Sequence, residues 1–105
     1  MVDHRRSHRS PLDAPVVVRQ KVGGNPLSGS ARDISVGGMF IETTSPFPFG
    51  TEVVIQLQLA GHAEMALPGL VRWTRADGMG IQFGLLGARD THAITELVQP
   101  VAAAP

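Results

Sequence analysis

The sequence predicts an all-β fold: a six-stranded, antiparallel, Greek-key-like β-barrel followed by one C-terminal α-helix. Three observations lead to this prediction. The 105 residues suffice for one domain with one modest core. Twelve glycines and eight prolines separate short runs of β-branched residues. Only one segment has helical periodicity, and closing the six strands into a barrel would leave no unpaired edge.

The first three strands are predicted from alternating apolar residues and from the glycines that interrupt them. A strand over Pro15–Val22 places three valines on one face, namely Val16, Val18 and Val22. A second strand follows over Leu27–Ile34, and a third covers Met39–Glu42 after a break at Gly37 and Gly38. The connections between these strands are short, as antiparallel neighbours allow.

The next three strands follow a predicted loop. Thr43–Gly50 contains two prolines and is assigned to this loop. Thr51–Leu59 alternates regularly and is the clearest strand of the chain. The fifth strand covers Ala63–Thr74, with a bend expected near Pro68-Gly69. After an Asp-Gly turn, the sixth strand has buried residues at alternate positions, namely Met79, Ile81 and Phe83.

One helix and two terminal segments complete the organisation of the chain. Asp90–Gln99 is predicted to be helical, with an apolar stripe made of Ala93, Ile94, Leu97 and Val98. Residues 1–10 are interpreted as a flexible basic arm, residues 11–99 as the barrel with its helix, and residues 100–105 as a frayed tail. The sequence therefore predicts one folded domain with a charged N-terminal extension.

Composition and charge argue against several classes of function. Nine basic and nine acidic residues give a formal net charge of zero, so binding to a nucleic acid polymer is not expected. The absence of cysteine excludes disulfides, thiolate metal sites and cysteine nucleophiles, and it fits a cytoplasmic location. No apolar run has the length of a membrane span or a signal peptide, so no membrane partner is expected.

The densest charge of the chain lies in its N-terminal arm. Arg5, Arg6 and Arg9 are three of its eight arginines. One interpretation is a solvated basic arm. The other is an anion clamp, because guanidinium groups bind phosphate through paired hydrogen bonds and stack on flat rings. In an extended chain Arg5 and Arg9 would lie roughly 13 Å apart, far enough to grip two ends of one ligand.

A second group of polar residues lies between the second and third strands. Asp33, Ser35 and Gly38 form the pattern Asp-x-Ser-x-x-Gly. One interpretation is a turn, in which Asp and Ser cap backbone amides and glycine supplies a positive φ. The other is a recognition edge, because a carboxylate accepts hydrogen bonds from two amide-type donors, and guanine offers such an edge.

Together the two patterns resemble the motifs of the PilZ domain, a bacterial receptor for cyclic di-GMP. Arg5-x-x-x-Arg9 precedes Asp33-x-Ser35-x-x-Gly38 by about two dozen residues. Further segments fall where such domains place similar ones, namely 35–41, 47–50, 69–73 and 78–83. The resemblance covers residues 4–99 and implies a six-stranded barrel with a C-terminal helix, in agreement with the elements assigned above.

The resemblance also implies roles for individual residues of both motifs. The arm would fold over a ligand lying on the barrel face. Arg5 and Arg9 would contact phosphates and guanine edges, and Arg6 would add positive charge. Asp33 and Ser35 would hold a guanine. The implied ligand is cyclic di-GMP, with no metal or other cofactor.

Two further residues are expected near this ligand. Gly38 would permit its close approach to the backbone. Trp73 lies at a position from which its indole could border the ligand, and the competing interpretation is a buried core tryptophan. Both motifs are intact in this sequence, which favours a member of the family that binds nucleotide.

The sequence shows no catalytic constellation, so the chain is interpreted as a binding protein and not an enzyme. The hypothesis is a cyclic di-GMP receptor that orders its arm on the ligand and signals to an unidentified effector protein. Motility, biofilm or exopolysaccharide control in bacteria is the expected process. The alternative is a nucleotide-independent PilZ-type adaptor in pilus or motility machinery. A third hypothesis, a barrel for single-stranded nucleic acid, would need more than the five aromatic residues present.

Overall fold

Six strands form a closed antiparallel barrel in the structure, a computed structural model that describes residues 10–59 and 61–98. The strands are β1 (Ser10–Gln20), β2 (Leu27–Ser35), β3 (Gly38–Glu42), β4 (Glu52–Leu57), β5 (Met65–Arg75) and β6 (Gly78–Phe83), and they are followed by α1 (Ala88–Val98). Their order around the barrel is β1-β2-β3-β6-β5-β4, and β4 pairs back onto β1. The predicted barrel with a C-terminal helix is therefore confirmed.

The core consists of the inward-facing residues of every strand. Alternation of side chains is confirmed in β4 and β6, where the buried apolar side chains are Val53, Ile55, Leu57, Met79, Ile81 and Phe83. The largest fully buried side chains elsewhere are Val18, Ile34, Met39, Ile41, Leu67, Val71 and Ile94. These side chains form one apolar cluster inside the barrel. Burial of this face fixes the register of the strands and so determines which side chains lie on the outer surface.

β1 begins earlier than predicted and also ends earlier. Ser10, a residue predicted to belong to the arm, is its first residue, and Gln20 is its last. Val22 was expected on the buried face but is 85% exposed. The chain turns here because Gly23 and Gly24 adopt a positive φ, so the alternation of valines continues past the true end of the strand.

The irregularity in β5 does not lie at the predicted position. Pro68-Gly69 pairs regularly with β4, so no β-bulge accompanies the bend predicted near these residues. The register with β6 shifts instead between Val71 and Trp73, and Arg72 is the extra residue. A bulge changes which face the following side chains occupy. As a result Arg72 and Trp73, although consecutive, are both exposed on the outside of the barrel.

The helix packs against the barrel beside β2. Ala93, Ile94 and Val98 are buried as predicted, whereas Leu97 is 38% exposed and does not belong to the buried stripe. The helix also begins at Ala88, before the predicted start at Asp90. Within residues 10–59 and 61–98, no helix has the length and apolar character needed to cross a membrane.

Candidate functional site

The structure describes part of the site that the sequence predicts. The three arginines of the arm, Arg5, Arg6 and Arg9, lie outside the described residues. Asp33 and Ser35 lie at the end of β2, and Gly38 is the first residue of β3. The geometry of the site is therefore built from this strand junction and from the strands beside it.

Ser35 stabilises the tight turn between β2 and β3. Its hydroxyl accepts a hydrogen bond from the Gly37 amide at 3.2 Å and donates one to the Gly38 carbonyl oxygen at 3.4 Å. The residue is only 1% exposed. A buried hydroxyl must be hydrogen-bonded, and here the turn supplies both a donor and an acceptor. The capping role that the sequence suggested is thus confirmed for Ser35.

Gly38 is required by packing and not by its φ angle. Neither Gly37 nor Gly38 has a positive φ, so that part of the turn prediction is wrong. A Cβ atom at position 38 would overlap the carbonyl oxygen of Ile81 on β6. Glycine therefore lets β3 and β6 pair closely at the point where the motif ends.

Asp33 occupies an irregular position in β2. Its Cα pairs with Pro11 of β1 and with Phe40 of β3, and the register of both pairings shifts beside it. The residue is half-buried. Phe40 pairs in turn with Gly80 of β6, which pairs with Trp73 of β5. Three strand spacings therefore separate Asp33 from Trp73, about 14 Å across the sheet.

Trp73 lies on the outer surface of the barrel. It is 43% exposed, so the interpretation as a buried core tryptophan is wrong. Its indole stacks against Phe40, with ring centroids 5.5 Å apart and planes inclined by 15°. Both rings cover β6, because a Cβ atom on Gly80 would overlap the indole and one on Gly78 would overlap the Phe40 ring. The two glycines thus create the space that the rings occupy.

Arg75 completes this aromatic cluster. Its guanidinium carbon lies 4.9 Å from the Phe40 ring centroid and 5.3 Å from that of Trp73. The Nε of Arg75 pairs with a carboxylate oxygen of Asp77 at 2.7 Å. Cation–π contact and the ion pair together favour one orientation of the rings. Trp73 therefore presents a positioned aromatic surface beside the motif.

A cavity of about 280 Å³, called the motif cavity from here on, connects the turn with β5 and β6. Its lining residues are Ser35, Gly37, Gly38, Arg72, Trp73, Gly80, Ile81 and Gln82. Of the predicted site residues, Ser35, Gly38 and Trp73 meet here, whereas Asp33 is not among the lining residues. An indole, a guanidinium, an amide and a glycine-rich turn suit a flat polar ring that carries an anionic group.

Two of these lining residues, Arg72 and Gln82, were not assigned to the site from the sequence. Alternation in β5 and β6 already predicts that both face outwards, away from buried Val71 and Ile81. That signal does not show that they lie near the motif, because the strand order and the bulge bring them there. Among the residues that the structure describes, no group of His, Cys, Asp or Glu could hold a metal ion.

Comparisons with known proteins agree with this fold. A family model of the PilZ domain matches residues 3–99. The PilZ domain of CeSA from a cellulose-synthesizing bacterium has a TM-score of 0.73 and 24% identity, over 88% of this chain and 95% of that chain. A search of curated proteins gives no match.

Two other solved structures are similar in fold. The Bacillus subtilis inhibitor of motility MotI/DgrA has a TM-score of 0.79 and 15% identity over 92% of this chain, which spans 50% of that protein. The PilZ domain of YcgR from Escherichia coli, solved with c-di-GMP, has a TM-score of 0.73 and 11% identity, over 91% of this chain and 89% of that chain. At these identities the similarity establishes the barrel architecture.

Gly38→Ala is expected to destabilise the barrel. Its methyl group must displace the Ile81 carbonyl, and overpacking of this kind costs about 1–3 kcal/mol, which lowers Tm by roughly 5–20 °C for a domain of this size. Gly37→Ala is the matched control, since its Cβ would meet only the Ser35 hydroxyl at 3.9 Å. Circular dichroism melts compare the two variants. An unchanged Tm for Gly38→Ala would contradict the packing role of this glycine.

Proposed function

We propose, from the premise that this chain belongs to the PilZ domain family, that it is a receptor for cyclic di-GMP. It acts by binding and not by catalysis, and it passes the signal to an effector protein in bacterial motility, biofilm or exopolysaccharide control. The c-di-GMP complex of the YcgR domain, which has the same fold, supports the choice of ligand. The names of the similar proteins, an inhibitor of motility and a PilZ domain from a cellulose-synthesizing bacterium, support the choice of process.

The observation that supports the proposal is the position of Ser10 at the start of β1. Ser10 directly follows Arg9 in the chain, and its Cα pairs with that of Ile34, which lies between Asp33 and Ser35. Antiparallel partners have Cα atoms about 5 Å apart, so the start of β1 lies beside the motif. The segment that contains Arg5 and Arg9 therefore joins the barrel next to the Asp-x-Ser-x-x-Gly motif, which supports a shared role for the two motifs.

This arrangement supports a clamp with two sides. Arg5 and Arg9, with Arg6 adding charge, hold the phosphates from the arm, because guanidinium groups bind phosphate through paired hydrogen bonds. Asp33 accepts hydrogen bonds from the edge of one guanine, and Ser35 holds the turn beside that base.

The barrel supplies the rest of the binding surface. Gly38 lets the ligand approach the backbone of the turn. Trp73 borders the ligand across the motif cavity, where its half-exposed indole can stack on a flat ring. Binding orders the arm against the barrel and so changes the surface that a partner contacts.

Arg9→Ala and Arg5→Ala are expected to weaken binding of cyclic di-GMP. Hydrogen bonds to charged groups contribute roughly 1.5–3 kcal/mol, which corresponds to a loss of about 10- to 150-fold in affinity. Isothermal titration calorimetry with cyclic di-GMP, GTP and cyclic di-AMP measures this loss. Arg89→Ala is the control, because that side chain is 78% exposed on α1 and should leave affinity unchanged. Unchanged affinity in Arg9→Ala would contradict the clamp, and no binding by the wild type would favour the nucleotide-independent adaptor.

Asp33→Ala separates recognition of guanine from stabilisation of the turn. A carboxylate that reads the guanine edge predicts a loss of affinity for cyclic di-GMP, with no gain for cyclic di-AMP. A purely structural carboxylate predicts a lower Tm and an unchanged affinity per folded molecule. Asp13→Ala is the control, since this exposed carboxylate pairs with Arg32 at 3.0 Å on the barrel surface. Calorimetry and thermal melts on the same samples distinguish the two roles.

Hydrogen exchange tests the ordering of the arm. Residues 3–9 are polar and contain no glycine or apolar anchor. Ordering such a segment costs roughly 1–2 kcal/mol per residue for the backbone, so we expect fast amide exchange without ligand and protection at saturation. The amides of Ile55 and Leu57 in β4, both buried, serve as the internal reference and should change little. Protection of residues 3–9 without ligand, or fast exchange at saturation, would be incompatible with this mechanism.

A further inference from the structure

Arg72 lies between two depressions of the barrel surface. One is the motif cavity. The other, called the adjoining cleft, has a volume of about 410 Å³ and lies over β4, β5 and the end of β6. Arg72 and Gln82 line both of them. Together the two fall within the range of roughly 300–1,000 Å³ that is typical of sites for small molecules.

Strand register places the motif and the adjoining cleft in one row. Gly38 of β3 pairs with Gln82 of β6, and Gln82 pairs with Leu70 of β5. Leu70 pairs in turn with Glu52 of β4. Three strand spacings separate Gly38 from Glu52, about 14 Å along one continuous outer surface. A single elongated ligand can therefore lie on both depressions.

Arg72 differs from the other described arginines in its side-chain contacts. Arg19 donates to the Gln56 side chain at 3.0 Å, and Arg32 pairs with carboxylates at 3.0 and 3.2 Å. Arg75 and Arg89 also have carboxylate partners, at 2.7 and 3.9 Å. Within residues 10–59 and 61–98, the Arg72 side chain has neither an ion pair nor a hydrogen bond. Its guanidinium is thus available to an anion at the border of the motif cavity.

The adjoining cleft has the chemistry of a site for a flat apolar face. Outward-facing apolar residues form much of its floor, namely Val54, Pro68 and Leu70. Its polar rim includes Lys21, which pairs with Glu52 at 3.4 Å, together with Arg72 and Gln82. A purine base has an apolar face and a polar edge, and both have partners here.

We propose that Arg72 binds a phosphate of the cyclic purine dinucleotide and that the second guanine lies in the adjoining cleft. This inference rests on the proposed function, since it takes the same ligand and extends its site. The motif end holds one base, Arg72 holds a phosphate between the two depressions, and the apolar floor holds the other base. A site made of both depressions would bind a cyclic dinucleotide more tightly than either depression alone binds a mononucleotide.

The test uses the full chain and measures cyclic di-GMP affinity by calorimetry. Trp73 is the single tryptophan and lines the motif cavity, so its fluorescence gives a second readout of binding. Arg72→Ala is expected to weaken binding at least about tenfold, as the loss of a charge-assisted contact does. Arg89→Ala, which removes an arginine on α1, is the matched control and should change affinity less than about twofold.

A second pair of variants tests the adjoining cleft itself. Val54→Glu places a negative charge in the cleft and is expected to weaken binding at least about tenfold by repelling the nucleotide. Gln56→Glu is the control, because Gln56 lies two residues further along the same strand and outside the cleft. Pro68→Glu, at an exposed position of the cleft floor, repeats the test if thermal melts show that Val54→Glu is unfolded.

The outcomes separate this inference from the proposed function. Weaker binding in Arg72→Ala and in the cleft variant, with unchanged controls, supports the extended site. Wild-type affinity in Arg72→Ala overturns the role of Arg72. Wild-type affinity in both Val54→Glu and Pro68→Glu overturns the position of the second guanine, even when the protein binds cyclic di-GMP. Failure of the wild type to bind overturns the proposed function instead.

Discussion

The pairing of β3 with β6 is the constraint on which the candidate site depends. These strands are distant in sequence, and their pairing brings Gly38 beside Gln82 while completing the closed barrel. The strands can pair at this point because residue 38 is a glycine. Any Cβ atom there would overlap the Ile81 carbonyl oxygen. Arg72 and Trp73 of β5 reach the motif only across β6. The site is therefore a product of barrel closure and not of the local turn.

Two glycines of β6, Gly78 and Gly80, make room for the aromatic rings on the outer surface of the barrel. Two glycines within a strand cost about 1–2 kcal/mol relative to alanine. A stacked aromatic pair contributes about 0.5–1.5 kcal/mol beyond area burial, and a cation–π contact about 0.5–1 kcal/mol. Phe40, Trp73 and Arg75 supply both over Gly78 and Gly80. The two effects are similar in size, so covering the glycines offsets their cost and leaves a flat exposed indole.

Alternation predicted most of the fold, because a half-buried strand shows its inner face directly in sequence. The buried side chains of β4 and β6 follow that rule. The order of the elements along the chain also agrees with the prediction. The exposure of Trp73 could not be predicted from alternation. Regular alternation from buried Val71 places it inside, and only the bulge at Arg72 turns it outwards. Bulges depend on the register of two strands, and no single stretch of sequence contains that information.

The motif illustrates a different limit. Ser35 and Gly38 suit a ligand site, yet the turn needs the Ser35 hydroxyl and barrel closure needs a glycine at position 38. When folding and ligand binding favour the same residue types, the presence of those residues in the sequence does not show which of the two roles they have. Arg72 is more informative, because it is exposed on the bulge and has no ion pair among the described residues. Since no ion pair among the described residues stabilises a guanidinium at this position, its exposure there supports the phosphate contact proposed above.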